Sequence, residues 1–426
     1  MIKILEYCSF FASFFKKYSF QVLLALLFSC LIYAFGKESR AFVIGYTVSI
    51  VFIGHLSKSF RPSKYLMALS LTFIFTLVFI LAFMFKSDST QGRILIYKIS
   101  FDIFKESYLV GIGLGEFKQQ YLLYQALYFS NDSFTSKELL LADNTYFAFN
   151  DYWQFTIEAG ILGLIALALI LSLLIFLIRK ALLKNRADRP VVLLLAVAQL
   201  LAINVAAFFT HVFEKLHFQS LYFICVIVVC YYVSASFKRW SLLTAGIIMA
   251  CLLYLHFKLP LHSYMAYKRF EEAKQLAFAG YSHESLEILT DIYPSMKSSH
   301  QYQMFYGEML LKNEELPEAE KIIRMAVAAV PANSLYVQLG DCFQRQKKMV
   351  EAERAYRLAV NMVPNRLSSR YALFKFYISC NRITEAIKVG NDILSIPVKI
   401  HSNYAKLIKS EIKTELKKLF FAIKNN

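Results

Sequence analysis

The chain has 426 residues, of which 57% are hydrophobic and 16% aromatic, and its net charge is +17. An apolar content above the roughly 45–50% of soluble domains excludes an ordinary water-soluble globule and makes an integral membrane protein the expectation. The basic excess flanks apolar runs and accompanies no nucleic-acid-binding motif, so it reads as membrane sidedness, with no nucleic acid as partner.

The opening stretch, MIKILEYCSFFASFFKKYSF, reads as a juxtamembrane helix with Lys16 and Lys17 ahead of the first span, and it carries no cleavage site of a removable leader. A crossing helix needs about 17–25 apolar residues. Seven segments have or approach that length: Tyr18–Phe35, Ala41–Ser57, Tyr65–Phe85, Ala159–Ile178, Val191–Phe209, Phe218–Phe237 and Ser241–Phe257. The short basic loops KSFRPSK, RKALLKNRADR and KRW are assigned to the cytoplasm. Segments 36–40, 86–154 and 212–217 are then expected outside, as is everything after Phe257. In a Gram-negative cell this means an inner-membrane protein whose C-terminal part is periplasmic. No span carries an internal charge of the kind that marks an ion or substrate path, which argues against a transporter.

The loop 86–154 is too long for a simple connection and is therefore the functional suspect. Within it, RILIYKISFDIFKESY predicts an amphipathic helix. Lys98, Asp102, Lys105 and Glu106 share one face, and Ile96, Ile99, Ile103 and Phe104 supply apolar surface. Such a helix is expected to lie along the membrane interface, with Arg93 at its start beside the headgroups. The GIGLG beyond it (111–115) lacks the Lys-Ser/Thr of a phosphate loop and reads as a tight turn returning the chain to the membrane.

Beyond Pro260 the composition becomes charged and helical, with a period near 34 residues. LGDCFQRQKKMVEAERAYRLAVNMVP places Leu339, Gly340, Phe343, Ala352, Tyr356, Ala359 and Pro364 on the tetratricopeptide pattern. The unit before it gives Gly307, Ala319, Ala326 and Pro331. The unit after gives Tyr377, Ala386 and Pro397, with Phe374 where glycine is expected, and a weaker first unit ends at Pro294. The expected fold class is thus all-α, a polytopic transmembrane helix bundle (1–257) followed by a tetratricopeptide-repeat α-solenoid (258–426). Repeats of this kind present a concave surface, so a docked envelope protein is the expected partner, packing on the membrane domain being the other reading. The seven cysteines show no CxxC and no Cys/His ligand spacing, so no metal site is expected. Cys342 and Cys380 are candidates to pair in an oxidising periplasm.

GRILIYKISFDIFKESYLVGIGLGEFKQQY followed by AFNDYWQFTIEAGILGL resembles the shared region of the O-antigen ligase and polymerase-related membrane proteins. The elements fall in the family's order: an arginine after glycine, a glycine-rich turn before Phe and Tyr, and then Asn150, Tyr152, Trp153, Glu158, Gly160 and Gly163. KESRAF (37–42) resembles the site of the family's other arginine, and the likeness covers residues 30–235 or so. The resemblance implies a glycosyltransferase that takes a glycan from undecaprenyl pyrophosphate and passes it to an acceptor sugar, commonly on lipid A core, with no cofactor. Arg93 and Arg40 match the arginines that would bind the pyrophosphate leaving group; otherwise they are snorkelling rim residues. Asn150 and Glu158 join them as substrate-binding candidates.

Many ligases of this family carry a histidine immediately before the Asn, where this chain has Phe149, which cannot accept a proton. The base is therefore sought among Asp143, Asp151, Glu158 and Glu116, and among His211, Glu214 and His217 of THVFEKLH, with His211 as the catalytic candidate. The span number is below the family's usual complement, as in a shortened form or a piece of a longer chain. A non-catalytic membrane scaffold that recruits partners through its repeats is the alternative function.

Overall fold

The computed structural model describes residues 40–56, 87–131, 134–186, 189–233, 260–398 and 402–425, with a few positions between 26 and 33. The spans expected at Tyr18–Phe35, Tyr65–Phe85 and Ser241–Phe257 lie wholly or mostly outside these residues. Among the described residues every regular element is a helix and there is no strand. By contacts the chain divides into two compact units. The first comprises Met1–Thr90, Tyr108–Gly111 and Phe147–Tyr254, and the second Gln91–Ser107, Ile112–Tyr146 and Leu255–Asn426. The bulk of the loop 86–154, expected outside the membrane and within the first domain, thus groups with the C-terminal helices.

The first unit is built from α1 (Arg40–Leu56), α5 (Asp151–Lys184), α6 (Val191–Ala207) and α7 (Leu216–Val233). Helix α6 is apolar on every side and packs against the other three, as a central helix must if it has no solvent face. The few polar groups along α1 find partners. The Ser49 hydroxyl donates to Ala198 O at 2.8 Å, and the Tyr46 hydroxyl to Gln199 Oε1 at 2.9 Å. Among the described residues, α5 and α7 are long and apolar enough to cross a membrane, whereas α1 and α6, at 17 residues, are shorter apolar helices. Most of the apolar stretch of α5 is uncovered, and Ile165, Leu169, Ile170 and Phe176 face outward. In water such a stripe would be an aggregation hazard, whereas hydrocarbon accepts it.

Helix α5 is broken near its start. Gly160 has φ 66° and ψ −169°, a conformation open essentially to glycine alone. The break is filled by the segment Tyr108–Gly111, which ends on the first glycine of GIGLG. Past the break, the Ile161 and Leu162 amides donate to Tyr108 O (2.8 Å) and Leu109 O (3.2 Å) instead of to helical carbonyls. Gly111, at φ 74°, lies against the Glu158 carbonyl, where a Cβ would come within 2.3 Å of backbone. The GIGLG segment is therefore a turn, as expected, and its first glycine and Gly160 belong to one backbone crossing. The remainder of α5, residues 161–184, forms about 36 Å of helix at 1.5 Å per residue, enough to span a bilayer.

The second unit holds most of α2 (Ser87–Glu106), with α3 (Phe117–Ser130) and α4 (Ser136–Leu141). Its C-terminal part is a series of hairpins: α8 (Pro260–Phe278), α9 (Ser282–Met296), α10 (His300–Lys312), α11 (Leu316–Ala329), α12 (Asn333–Arg345), α13 (Met349–Met362), α14 (Leu367–Ser379) and α15 (Ile383–Ser395), closed by α16 (Asn403–Asn425). Each of these helices packs on the next, and α10, α12, α14 and α16 pack on one another in succession. The turn inside each hairpin is the same. Gly280, Glu314, Lys347 and Asn381, spaced 34, 33 and 34 residues apart, take φ between 56° and 98°. The amide after each one bonds back to a carbonyl five residues earlier, as in Tyr281 N to Leu276 O and Lys348 N to Phe343 O. This is the Schellman ending of a helix, which favours glycine at the left-handed position. Lys347→Gly is accordingly expected to stabilise the protein by about 1 kcal/mol, seen as a higher melting temperature by circular dichroism in detergent. An unchanged or lower value would contradict the strain argument.

The amphipathic helix forms as α2, with Lys98, Asp102, Lys105 and Glu106 exposed. Its apolar side is buried within the folded chain, however, with Ile96, Ile99 and Ile103 at most 8% exposed, and so is not offered to lipid. Lys98 pairs with Glu138 at 2.9 Å. The hairpins hold the other loop helices: α3 packs on α13, and the Asn365 amide donates to the carbonyls of Leu139, Leu140 and Ala142 at 2.7–3.0 Å. Asn365 thus satisfies the end of α4, whose last carbonyls have no helical donor. Buried Asn333 accepts from Asn144 at 3.0 Å and donates to Ser369 at 2.9 Å. Cys342 and Cys380 are free thiols rather than a disulfide.

Candidate functional site

In the first unit, the polar residues gather where α5 and α7 begin and α6 ends. Asn150 is the N-cap of α5, and its side chain accepts from Trp153 N at 3.0 Å. One helix face then presents Asp151, Gln154 and Glu158 at a spacing of three and four residues. Asp151 turns toward the loop between α6 and α7, where its Oδ2 accepts from Val212 N at 2.7 Å and Phe213 N at 3.1 Å. Gln154 is the buried hub. Its amide nitrogen donates to Glu158 Oε1 (3.1 Å) and Glu214 Oε1 (3.2 Å), and its oxygen accepts from Ala148 N at 3.2 Å. Glu158 is itself only 7% exposed, whereas Glu214 is exposed. Both lie close enough to Asp151 to repel its charge, so the site gathers three carboxylates.

His211 stands near Glu214, on the loop that Asp151 holds. Its ring stacks on Phe147, with centroids 4.3 Å apart and planes 8° from parallel, and meets Phe149 edge-on at 5.6 Å. Burial and then the Lys215 charge push its pKa below the ordinary 6.5, with Glu214 opposing. The imidazole is therefore neutral at pH 7 and able to take a proton. Its Nδ1 is buried and has no hydrogen-bond partner among the described residues. Phe149, at the position where the resemblance places a histidine, holds φ 54°. A non-glycine residue there is strained, and strain of this kind collects at functional sites.

Arg40 is the exposed first residue of α1. The next two residues, Ala41 and Phe42, enter an apolar cluster with Ile203, Ala206 and Val212, against which Tyr152 packs, and Phe42 stacks on Phe218 at 4.6 Å. Arg40, His211 and Asp151 are thus each one residue from the same cluster, at one end of the unit. Tyr152 adds a bond from its hydroxyl to Asn204 Oδ1 at 2.9 Å. Of the expected set, Asn150 and Glu158 lie on the first turns of α5, His211 lies on the loop that Asp151 holds, and Arg40 starts the helix whose next residues enter the same apolar cluster as Val212. The structure places Arg93 on α2 in the second unit, half-buried. Gln154 was missed from the sequence; the only available signal was its spacing, four residues from both Asn150 and Glu158.

A helical unit with outward apolar surface and a polar, carboxylate-rich site at one helix end has the character of a membrane-embedded enzyme or binding protein. Residues 23–168, about a third of the chain, match the O-antigen ligase family, a family of integral membrane proteins. No individual curated protein matches the chain. The matched stretch includes Arg40, Arg93, Asn150 and Glu158 and stops before His211.

Proposed function

We propose that the protein is a membrane glycosyltransferase of the O-antigen ligase and polymerase type, which moves a glycan from undecaprenyl pyrophosphate to an acceptor sugar at the periplasmic face. The observation that carries this reading is the place of His211, a half-buried imidazole near Glu214 on the loop that Asp151 holds, one residue from the apolar cluster that the helix of Arg40 enters. In the transfer, the acceptor hydroxyl oxygen attacks the anomeric carbon and the bond from that carbon to the pyrophosphate oxygen breaks. The pyrophosphate leaves with the bonding pair, and the hydroxyl proton passes to His211. Arg40 binds the leaving pyrophosphate, on which negative charge grows as the bond lengthens, and the family resemblance gives Arg93 the same role. Asp151 is a positioning residue, because it holds the amides just after His211. Glu158 and Asn150 shape the sugar side of the site. The C-terminal hairpins are tetratricopeptide-type repeats in this reading, supported by the recurring turn and by Gly340 lying under the Tyr356 ring.

Deleting the gene and separating surface and lipid-linked glycans on a gel tests the proposal. Loss of a ligase accumulates long chains on the carrier, whereas loss of a polymerase leaves single repeat units. An unchanged pattern rejects both and leaves the scaffold role, which Phe149 at the family histidine's position would then explain. Arg93→Ala and Arg40→Ala are each expected to lower transfer by about a hundredfold or more with normal membrane levels. Full complementation by either variant removes that arginine from the site.

A further inference from the structure

Within the second unit, the Asp143 segment, the turn before α14 and the start of α16 enclose an open cleft of about 340 Å³. Its floor is apolar, with Leu367 and Ile408 at most 8% exposed. On its rim stand the Asp143–Arg366 pair at 2.9 Å, both half-exposed, and the Tyr404 ring, 58% exposed. We propose that this cleft binds a glycan, as a site separate from the one on the first unit. The proposal rests on the glycan-transfer reading only for its choice of polymer.

The chemistry matches sugars on each side of the ring. A pyranose offers a face of C–H bonds, which packs on an aromatic ring or an apolar floor. It also offers an edge of adjacent hydroxyls, which a carboxylate and a guanidinium can bind in pairs of hydrogen bonds. Asp143 and Arg366 pair with each other at 2.9 Å, so each enters a complex already partly oriented. The volume is at the small end of the roughly 300–1,000 Å³ of ligand pockets, which suits one or two rings. A bound peptide would want side-chain amides to clamp its backbone. The Asn365 amide nitrogen, the obvious clamp on this rim, is already given to three carbonyls of the loop.

The full-length protein in nanodiscs would be applied to an array of bacterial surface polysaccharides and lipopolysaccharide-core oligosaccharides, and in parallel to an array of peptides. The expected result is retention on at least one glycan, weakened about tenfold by Tyr404→Ala, as loss of a stacking contact implies. Asp143→Asn should weaken it as well. Tyr404 is exposed, so its variant should keep the wild-type melting temperature, and that measurement accompanies the array. Blank glycan arrays, equal retention by Tyr404→Ala, or binding to peptides alone overturn the proposal. Tyr404-dependent retention with unchanged cellular glycans after gene deletion upholds the cleft and rejects the transfer reading. Lost transfer with a blank array rejects the cleft only.

Discussion

Gly160→Ala is expected to remove most of the folded protein from the membrane. Two effects add. Alanine at φ 66°, ψ −169° occupies a region essentially closed to side chains, and its Cβ would lie 2.3 Å from Leu109 O. Backbone cannot step aside as a flexible side chain can, because Tyr108 and Leu109 are bonded to the amides just past the break. The strained dihedral and the overlap together carry a penalty on the order of 3 kcal/mol or more, a large share of the stability of most domains. Gly111→Ala should do the same from the other side of the crossing. Gly92→Ala is the control, since nothing lies within 4 Å of where its Cβ would go. Membrane-inserted levels and detergent melting curves read all three. A Gly160→Ala protein that melts like wild type would mean the crossing is not rigid.

His211→Ala should lower transfer by about a hundred- to ten-thousandfold, the usual worth of a general base, while carrier-linked glycan still binds. The pH dependence gives the sharper readout. A base works deprotonated, and burial and Lys215 lower the pKa of His211 below 6.5. Wild-type transfer should therefore hold through neutral pH and fall only as pH drops through that lowered value. The residual rate of His211→Ala should lack this limb. Asp151→Asn keeps a side-chain oxygen for the amides of Val212 and Phe213, so it should retain far more activity than Asp151→Ala. If His211→Ala keeps the same acid limb, the base is another group.

Much of the secondary structure was legible because apolar runs and helical periods are local signals. Ala41–Ser57, Val191–Phe209 and Phe218–Phe237 correspond closely to α1, α6 and α7. The repeat period fell on the recurring turns at Gly280, Glu314, Lys347 and Asn381. The features that could not be read depend on residues far apart. The periodicity of α2 revealed an apolar face but not that the protein itself covers it. The glycines of GIGLG pointed to a turn, yet nothing local tied Gly111 to Gly160. The same limit applied to the site: Gln154 looks like any helix-surface glutamine until Glu214, sixty residues on, is brought to its amide. His211 stood out only as one of several acids and bases, and its aromatic stack needs Phe147 from another segment.

The grip of Asn365 on α4 has a consequence for how the chain is made. Leu139, Leu140 and Ala142 are synthesised 223 to 226 residues before the side chain that satisfies their carbonyls. Contacts so distant in sequence form late, since the intervening chain must first be ordered. The loop 86–154 therefore matures only after the hairpin that carries Asn365 has emerged from the ribosome. Until then its apolar surfaces wait uncovered, in a window where a chaperone or a protease can act.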